Sequence, residues 1–157
     1  MAKRRITSPR KRHSPSRHLD REDYRTLADF RYLIRRFLEF SQTEARRAGL
    51  TPRHHQALLA IKGFGGEDHP TIGDLAERLR IRHHSAVALV DRLAEAGLIK
   101  RLSDAHDRRR VLVELTDAAE RHLADLSAIH LEELNSMRDA LLEILGRARR
   151  RRGARLA

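Results

Sequence analysis

The sequence predicts a mainly α-helical chain carrying one small β-hairpin. Two observations lead there. From residue 20 to residue 146 apolar side chains recur mostly at spacings of three and four, the period of a helix buried on one face. Only between Leu98 and Leu115 does the period fall to two, the signature of short half-buried strands.

The elements follow in order. Asp20 is placed to cap a first helix, with Glu22 and Asp23 in its first turn where the helix dipole favours anions. Tyr24, Leu27, Ala28, Phe30, Ile34, Phe37, Leu38 and Phe40 give it a broad apolar face, expected to be buried, and Gly49 closes it. Thr51-Pro52 is a cap followed by proline at the first helical position. Ala57, Leu58, Ile61 and Phe64 form the stripe of that second helix, which Gly63, Gly65 and Gly66 end. Thr71 with Asp74 reads as a capping box onto a short helix bearing Leu75, Ala76 and Leu79. A turn at Arg80-Ile81-Arg82 leads to a fourth helix, with Ala86, Leu89, Val90 and Leu93 on one face and Gly97 at its end. Leu98 to Leu102 is a strand, Ser103 to Arg109 a polar turn, and Val111, Val113 and Leu115 alternate on a second strand. Thr116 caps a long helix, with a weak break at Asn135-Ser136 before Leu141, Leu142, Ile144 and Leu145.

Two short helices joined by a tight turn and followed by a hairpin is the layout of a winged helix-turn-helix lobe. The expected organisation is a basic disordered tail at 1–18, an N-terminal dimerisation helix at 19–50, the winged-helix lobe at 51–116, C-terminal dimerisation helices at 117–146 and a basic tail at 147–157. The outer helices hold more apolar positions than one small lobe can cover, which makes a second copy of the chain their natural cover.

Charge supports a nucleic-acid partner, and its position matters more than its total. The chain has a formal net charge of +11, yet residues 1–18 contribute seven basic residues and no acid, and 147–157 contribute six and none. The middle is close to neutral, but residues 78–110 hold nine basic and four acidic residues. This local patch covers the fourth helix and the hairpin. The tails are expected to add backbone contact without sequence information. No cysteine is present, which excludes a disulfide scaffold and a Cys-ligated zinc finger. No apolar run is long enough to span a bilayer and no secretory leader is visible, so the expected location is the cytoplasm.

In this layout the fourth helix keeps its apolar face on the core and turns its N-terminal end to the major groove. Arg82, His83, His84, Ser85, Val87, Ala88 and Arg92 are the candidate DNA-facing residues. In the wing, Lys100 and Arg101 are placed for phosphates. Arg108, Arg109 and Arg110 suit a narrow minor groove and its enhanced negative potential. Asp107 is placed to orient a wing arginine through a charge-assisted bond. Asp91 either pairs with the wing and holds its angle or is an ordinary exposed acid.

The segment from Thr71 to Thr116 resembles the DNA-binding core of the MarR (multiple antibiotic resistance regulator) family. The matching residues are Asp74-Leu-Ala-Glu-Arg-Leu79, Leu89-Val-Asp-Arg-Leu93 and Gly97-Leu-Ile-Lys-Arg101. Asp107-Arg-Arg109 followed by Val113-Glu-Leu115-Thr116 fits the family's D-x-R-x-x-x-V-x-L-T wing signature at every fixed position. The resemblance extends over roughly residues 20–146. It implies a homodimer with intertwined terminal helices, bound to a palindromic site with half-sites about one helical turn (~10 bp) apart. One departure is informative. Many relatives carry arginine where this chain has Ala88, so a bidentate guanine contact is absent there. Base reading falls to Arg82, His83, His84 and Ser85, with Val87 or Ala88 available to a thymine methyl.

The resemblance also implies a small-ligand pocket at the junction of the first two helices, lined by Phe30, Ile34, Phe37, His54, His55, Leu58 and Phe64. The alternative is plain core packing. No metal or other cofactor is expected: adjacent helical histidines point about 100° apart and rarely chelate one ion. Catalysis is not expected either, since no phosphate loop, nucleophile elbow or H-E-x-x-H is present. The expected function is therefore that of a DNA-binding transcription regulator, a repressor responsive to a small anionic or aromatic ligand. The competing readings are a sequence-indifferent architectural DNA-binding protein and a metal- or ligand-sensing module with a minor DNA role.

Overall fold

The computed structural model describes residues 19–65, 69–104, 107 and 110–154, with side chains to residue 150. The tail at 1–18 and the wing-tip arginines 108 and 109 lie outside the described residues. Six helices and one hairpin follow in the order α1 (Arg21–Arg47), α2 (Pro52–Lys62), α3 (Ile72–Arg78), α4 (His83–Glu95), β1 (Ile99–Ser103), β2 (Val111–Leu115), α5 (Asp117–Ser136) and α6 (Arg138–Ala154).

The start signals act through hydrogen bonds that satisfy the first free N–H groups of each helix. The Asp20 carboxylate accepts from the amides of Glu22 and Asp23, and Asp23 returns the bond to the Asp20 amide. Thr71 and Asp74 form the same reciprocal box on α3. Thr51 caps α2 with Pro52 directly behind it. Thr116 accepts from the Ala119 amide while its hydroxyl donates to the Gly97 carbonyl at 2.9 Å. That residue therefore caps α5 and ties it to the end of α4. Gly97 sits at φ +68°, a left-handed conformation that an L side chain adopts only with strain.

The hairpin is antiparallel, pairing Ile99 with Leu115 and Ser103 with Val111. β1 begins one residue later than the alternation suggests. The wing is also stitched to the start of α3: Thr71 bridges Leu112, and the Val113 amide donates to the Pro70 carbonyl at 2.9 Å. A lone bridge carries no periodic pattern, so this link is silent in the sequence.

The main core joins Leu58 and Ile61 of α2, Leu75 of α3, Leu89, Val90 and Leu93 of α4, Ile99, Val113 and Leu115 of the hairpin, and Leu123 and Leu126 of α5. A second cluster holds Leu33 of α1 against Met137 and Ile144, with Phe37 and Leu141 beside it.

Two expectations change here. The broad apolar face of α1 divides. Leu33 and Ala45 are buried, whereas Tyr24, Leu27, Phe30, Ile34 and Leu38 remain 37–59% exposed within one chain. The helix has two apolar sides, and packing on α5 and α6 uses the one through Leu33. The C-terminal segment 147–154 is helix rather than tail, because α6 continues to Ala154. Arg147 is largely buried and donates to Asp29 of α1 at 2.6 Å, with Glu22 3.6 Å away.

Candidate nucleic-acid interface

The site begins with α4. Its inward residues Ala86, Leu89, Val90 and Leu93 are at most 2% exposed, which fixes the helix's rotation on the core. That rotation leaves Arg82, His83, His84, Ala88 and Arg92 exposed, with Ser85, Val87 and Asp91 half-buried. Arg82 occupies the N-cap position and makes no side-chain capping bond, so its guanidinium is not committed to the helix end. The turn that delivers it is tight. The Ile81 amide donates to Ala76, and Arg80 has φ +53°, left-handed for a residue with a Cβ.

The wing is oriented by ion pairs. Asp91 of α4 accepts from Arg101 of β1, which joins α4 to the wing. Asp91 is thus engaged by Arg101 rather than left as an unpaired exposed acid. Arg101 was expected to face phosphates, and its guanidinium is instead turned to Asp91 within the chain. Lys100 is exposed beside it. At the hairpin turn, Asp104 organises the backbone. It is buried, pairs with Arg110 at 3.2 Å and accepts from the Asp107 amide at 3.3 Å. The Arg110 amide donates to the Asp107 carbonyl at 2.9 Å. Sequence reasoning missed Asp104, though an acid three residues before another in a polar turn is the pattern of a side chain bonding to its own turn. The charge of Arg110 also reaches Asp74. Together with the Thr71 hydroxyl and amide, the larger causes, it holds the Asp74 carboxyl below its usual range.

The residues expected to line a ligand pocket do not converge. Phe30 and Ile34 are exposed on α1, Leu58 is fully buried in the core, and Phe64 lies in a surface depression with Asp74, Glu77 and Arg78. His54 is half-buried, its pKa lowered by burial and then by Arg92. Phe37 and His55 do share a neighbour, which the sequence did not single out: His130 of α5. Its ring lies 6.0 Å from Phe37, 5.6 Å from Phe40 and 4.6 Å from His55. Among the described residues no group of three or more His, Cys, Asp or Glu side chains could hold a metal ion. No described helix is long and apolar enough to cross a membrane.

Comparison with known proteins places this geometry. The MarR family model matches residues 48–110, which span α2 to the wing turn. The HTH-type transcriptional regulator YcgE of Bacillus subtilis is 35% identical over 97 residues, 62% of this chain and 61% of that protein. The HTH-type transcriptional regulator FarR of Neisseria gonorrhoeae is 36% identical over 74 residues, 47% of this chain and 48% of that protein. The chain thus spans about three fifths and about half the length of these two curated relatives. Among solved structures, AbsC, a MarR family transcriptional regulator from Streptomyces coelicolor, has TM-score 0.68 at 18% identity, covering 90% of this chain and 98% of that one. A MepR–DNA complex from Staphylococcus aureus has TM-score 0.64 at 20% identity, covering 81% and 92%. At these identities the structural likeness speaks for the fold.

Proposed function

We propose that the chain is a regulator of the MarR type, a sequence-specific DNA-binding protein that acts as a homodimer on a palindromic operator; the family match over residues 48–110 supports this reading. The observation that carries this reading is the N-terminal end of α4. Arg82, His83, His84 and Ala88 project from a helix whose opposite face is locked in the core. A recognition helix needs this combination of rigid seat and free polar end. The Asp91–Arg101 pair supports it by fixing the wing to the same helix. The existence of a MepR–DNA complex supports it by analogy of fold.

A second copy of the chain accounts for the exposed stripe of Tyr24, Leu27, Phe30, Ile34 and Leu38 on α1 and for Leu131, Leu134, Leu142 and Leu145 on α5 and α6. Contiguous exposed apolar patches mark association surfaces, and the α1 stripe follows one face of its helix. The reading includes repression relieved by a small anionic or aromatic ligand. Such a ligand acts by preferring one spacing of the two recognition helices over another. The scattered positions of Phe30, Ile34 and Phe64 favour a pocket completed by the second chain over one inside a single chain.

Footprinting of the full chain on the DNA upstream of its own gene tests the proposal. Two protected half-sites about one helical turn (~10 bp) apart are expected. Uniform protection without half-sites would favour a sequence-indifferent binder.

A further inference from the structure

His55 belongs to α2, the first helix of the winged-helix lobe, and His130 to α5, in the helical region outside it. Their ring centroids are 4.6 Å apart at an interplanar angle of 50°. His130 Nδ1 lies 2.7 Å from the Leu126 carbonyl, which only accepts, so Nδ1 carries the proton. In the neutral ring Nε2 then accepts from the Ser41 hydroxyl of α1 at 2.8 Å. His55 Nε2 is buried with no hydrogen-bond partner among the described residues, in a residue only 1% exposed. Three elements from both parts of the molecule therefore meet on two imidazoles in tilted contact, one of them short of a partner.

We infer that His55 and His130 form an acid-opened latch, which holds the DNA-binding lobe against α1 and α5 while His55 is neutral and releases it when His55 takes a proton. A proton on His55 places an unpaired cation in a buried space whose other wall is His130. Burial first, and then His130, lower the His55 pKa from 6.5 to about 4. Among the described residues no ion pair or hydrogen bond is seen between His55 and an acidic side chain. From α1 the pair meets Phe37, Phe40 and Ser41. Acids on the elements packed around α2 have partners of their own: Glu44 of α1 pairs with Arg47, Glu120 of α5 with Lys62, and Glu114 of β2 with His69. On α3, Asp74 serves the Thr71 cap. On α2 itself the His54 pKa is lowered by burial and then by Arg92 of α4.

The sign follows from linkage. A conformation that exposes His55 binds protons from about its ordinary value downward, whereas the closed one does not until about pH 4. The closed latch is thus fully favoured above about pH 6.5 and loses ground as pH falls from there to about 4. Between pH 7.5 and 5.0 the opening constant is expected to rise about 30-fold. The consequence for DNA rests on the regulator reading above; the latch itself does not.

The test compares full-length wild type with His55→Gln at pH 7.5 and 5.0. Amide hydrogen exchange in α2 and α5, corrected for the intrinsic pH dependence, should show protection falling about 30-fold in wild type and holding in the variant. Fluorescence anisotropy on the upstream fragment should show wild type losing affinity relative to the variant at pH 5.0. That ratio cancels the contributions of His83 and His84, which both proteins share. Imidazole NMR of wild type alone guards against a poorly folded variant, since His55 should stay neutral to about pH 4. Equal pH dependence of exchange in the two proteins, or a His55 signal titrating near 6.5, overturns the latch. A fall in protection with no change in the affinity ratio overturns its coupling to DNA. Absence of DNA binding by either protein at both pH values defeats the regulator reading, and the exchange result then decides the latch by itself.

Discussion

Single residues at the tip and wing carry the proposed recognition. Arg82 is exposed and free of a capping bond. Arg82→Ala is expected to weaken operator binding by about 1–3 kcal/mol and to relax specificity, as read by competition with variant operators. Asp91→Ala should act differently. The Asp91–Arg101 pair is about half exposed, and such pairs contribute little to stability. Thermal unfolding should therefore move little, while DNA affinity falls because the wing loses its brace. A loss of folded protein on this substitution would contradict the bracing role. The apolar face of α4 was legible in the sequence down to each buried residue, because a 3.6-residue period leaves no freedom in which side faces the core. Pairings over longer stretches were not. Asp104 with Arg110, His55 with His130 and the choice of Arg101 as the wing partner of Asp91 depend on where separate elements come to rest, and spacing within one element does not report that.

Among the elements, caps and turns were the most readable features. Each of the Asp20, Thr51, Thr71 and Thr116 caps marks a real helix start, since the free amides of a first turn need an acceptor and only a few side chains supply one. Thr116→Ala should cost about 1–2 kcal/mol in chemical unfolding, because it removes both a cap and the bond to Gly97. The Thr71–Asp74 box carries a pH signature. The Asp74 pKa is lowered chiefly by Thr71, so its contribution is complete above the ordinary carboxylate range and is lost as pH falls through the lowered value. In Asp74→Asn this acid-side loss should be missing from the stability–pH curve. The turn between α3 and α4 holds a feature no pattern announced. Arg80 takes a left-handed conformation where glycine would be unstrained. Arg80→Gly is expected to leave the fold intact and raise stability by up to about 1 kcal/mol.

Across the entire chain, the charge and the apolar surface divide the work. In the proposed dimer a second chain covers the exposed stripe on α1. Leu27→Glu, in the middle of that stripe, should shift the protein toward monomer in sedimentation and weaken operator binding, with the winged-helix core unaffected because Leu27 is 58% exposed. Deleting residues 1–18 should lower affinity for all DNA sequences alike and flatten its salt dependence, since seven basic residues are removed and no base-reading group is lost. The sequence identified α1 as strongly apolar but not which side meets its own chain, because a helix apolar on two sides gives the same periodic signal for either. Everything proposed for α4 and the wing depends on their reading a specific DNA sequence. The decisive quantity is the affinity of the full chain for its own upstream fragment against a scrambled fragment of equal length and composition, across a salt series. A preference of at least about a thousandfold, persisting as salt rises, is expected. A ratio near one at every salt concentration would contradict it.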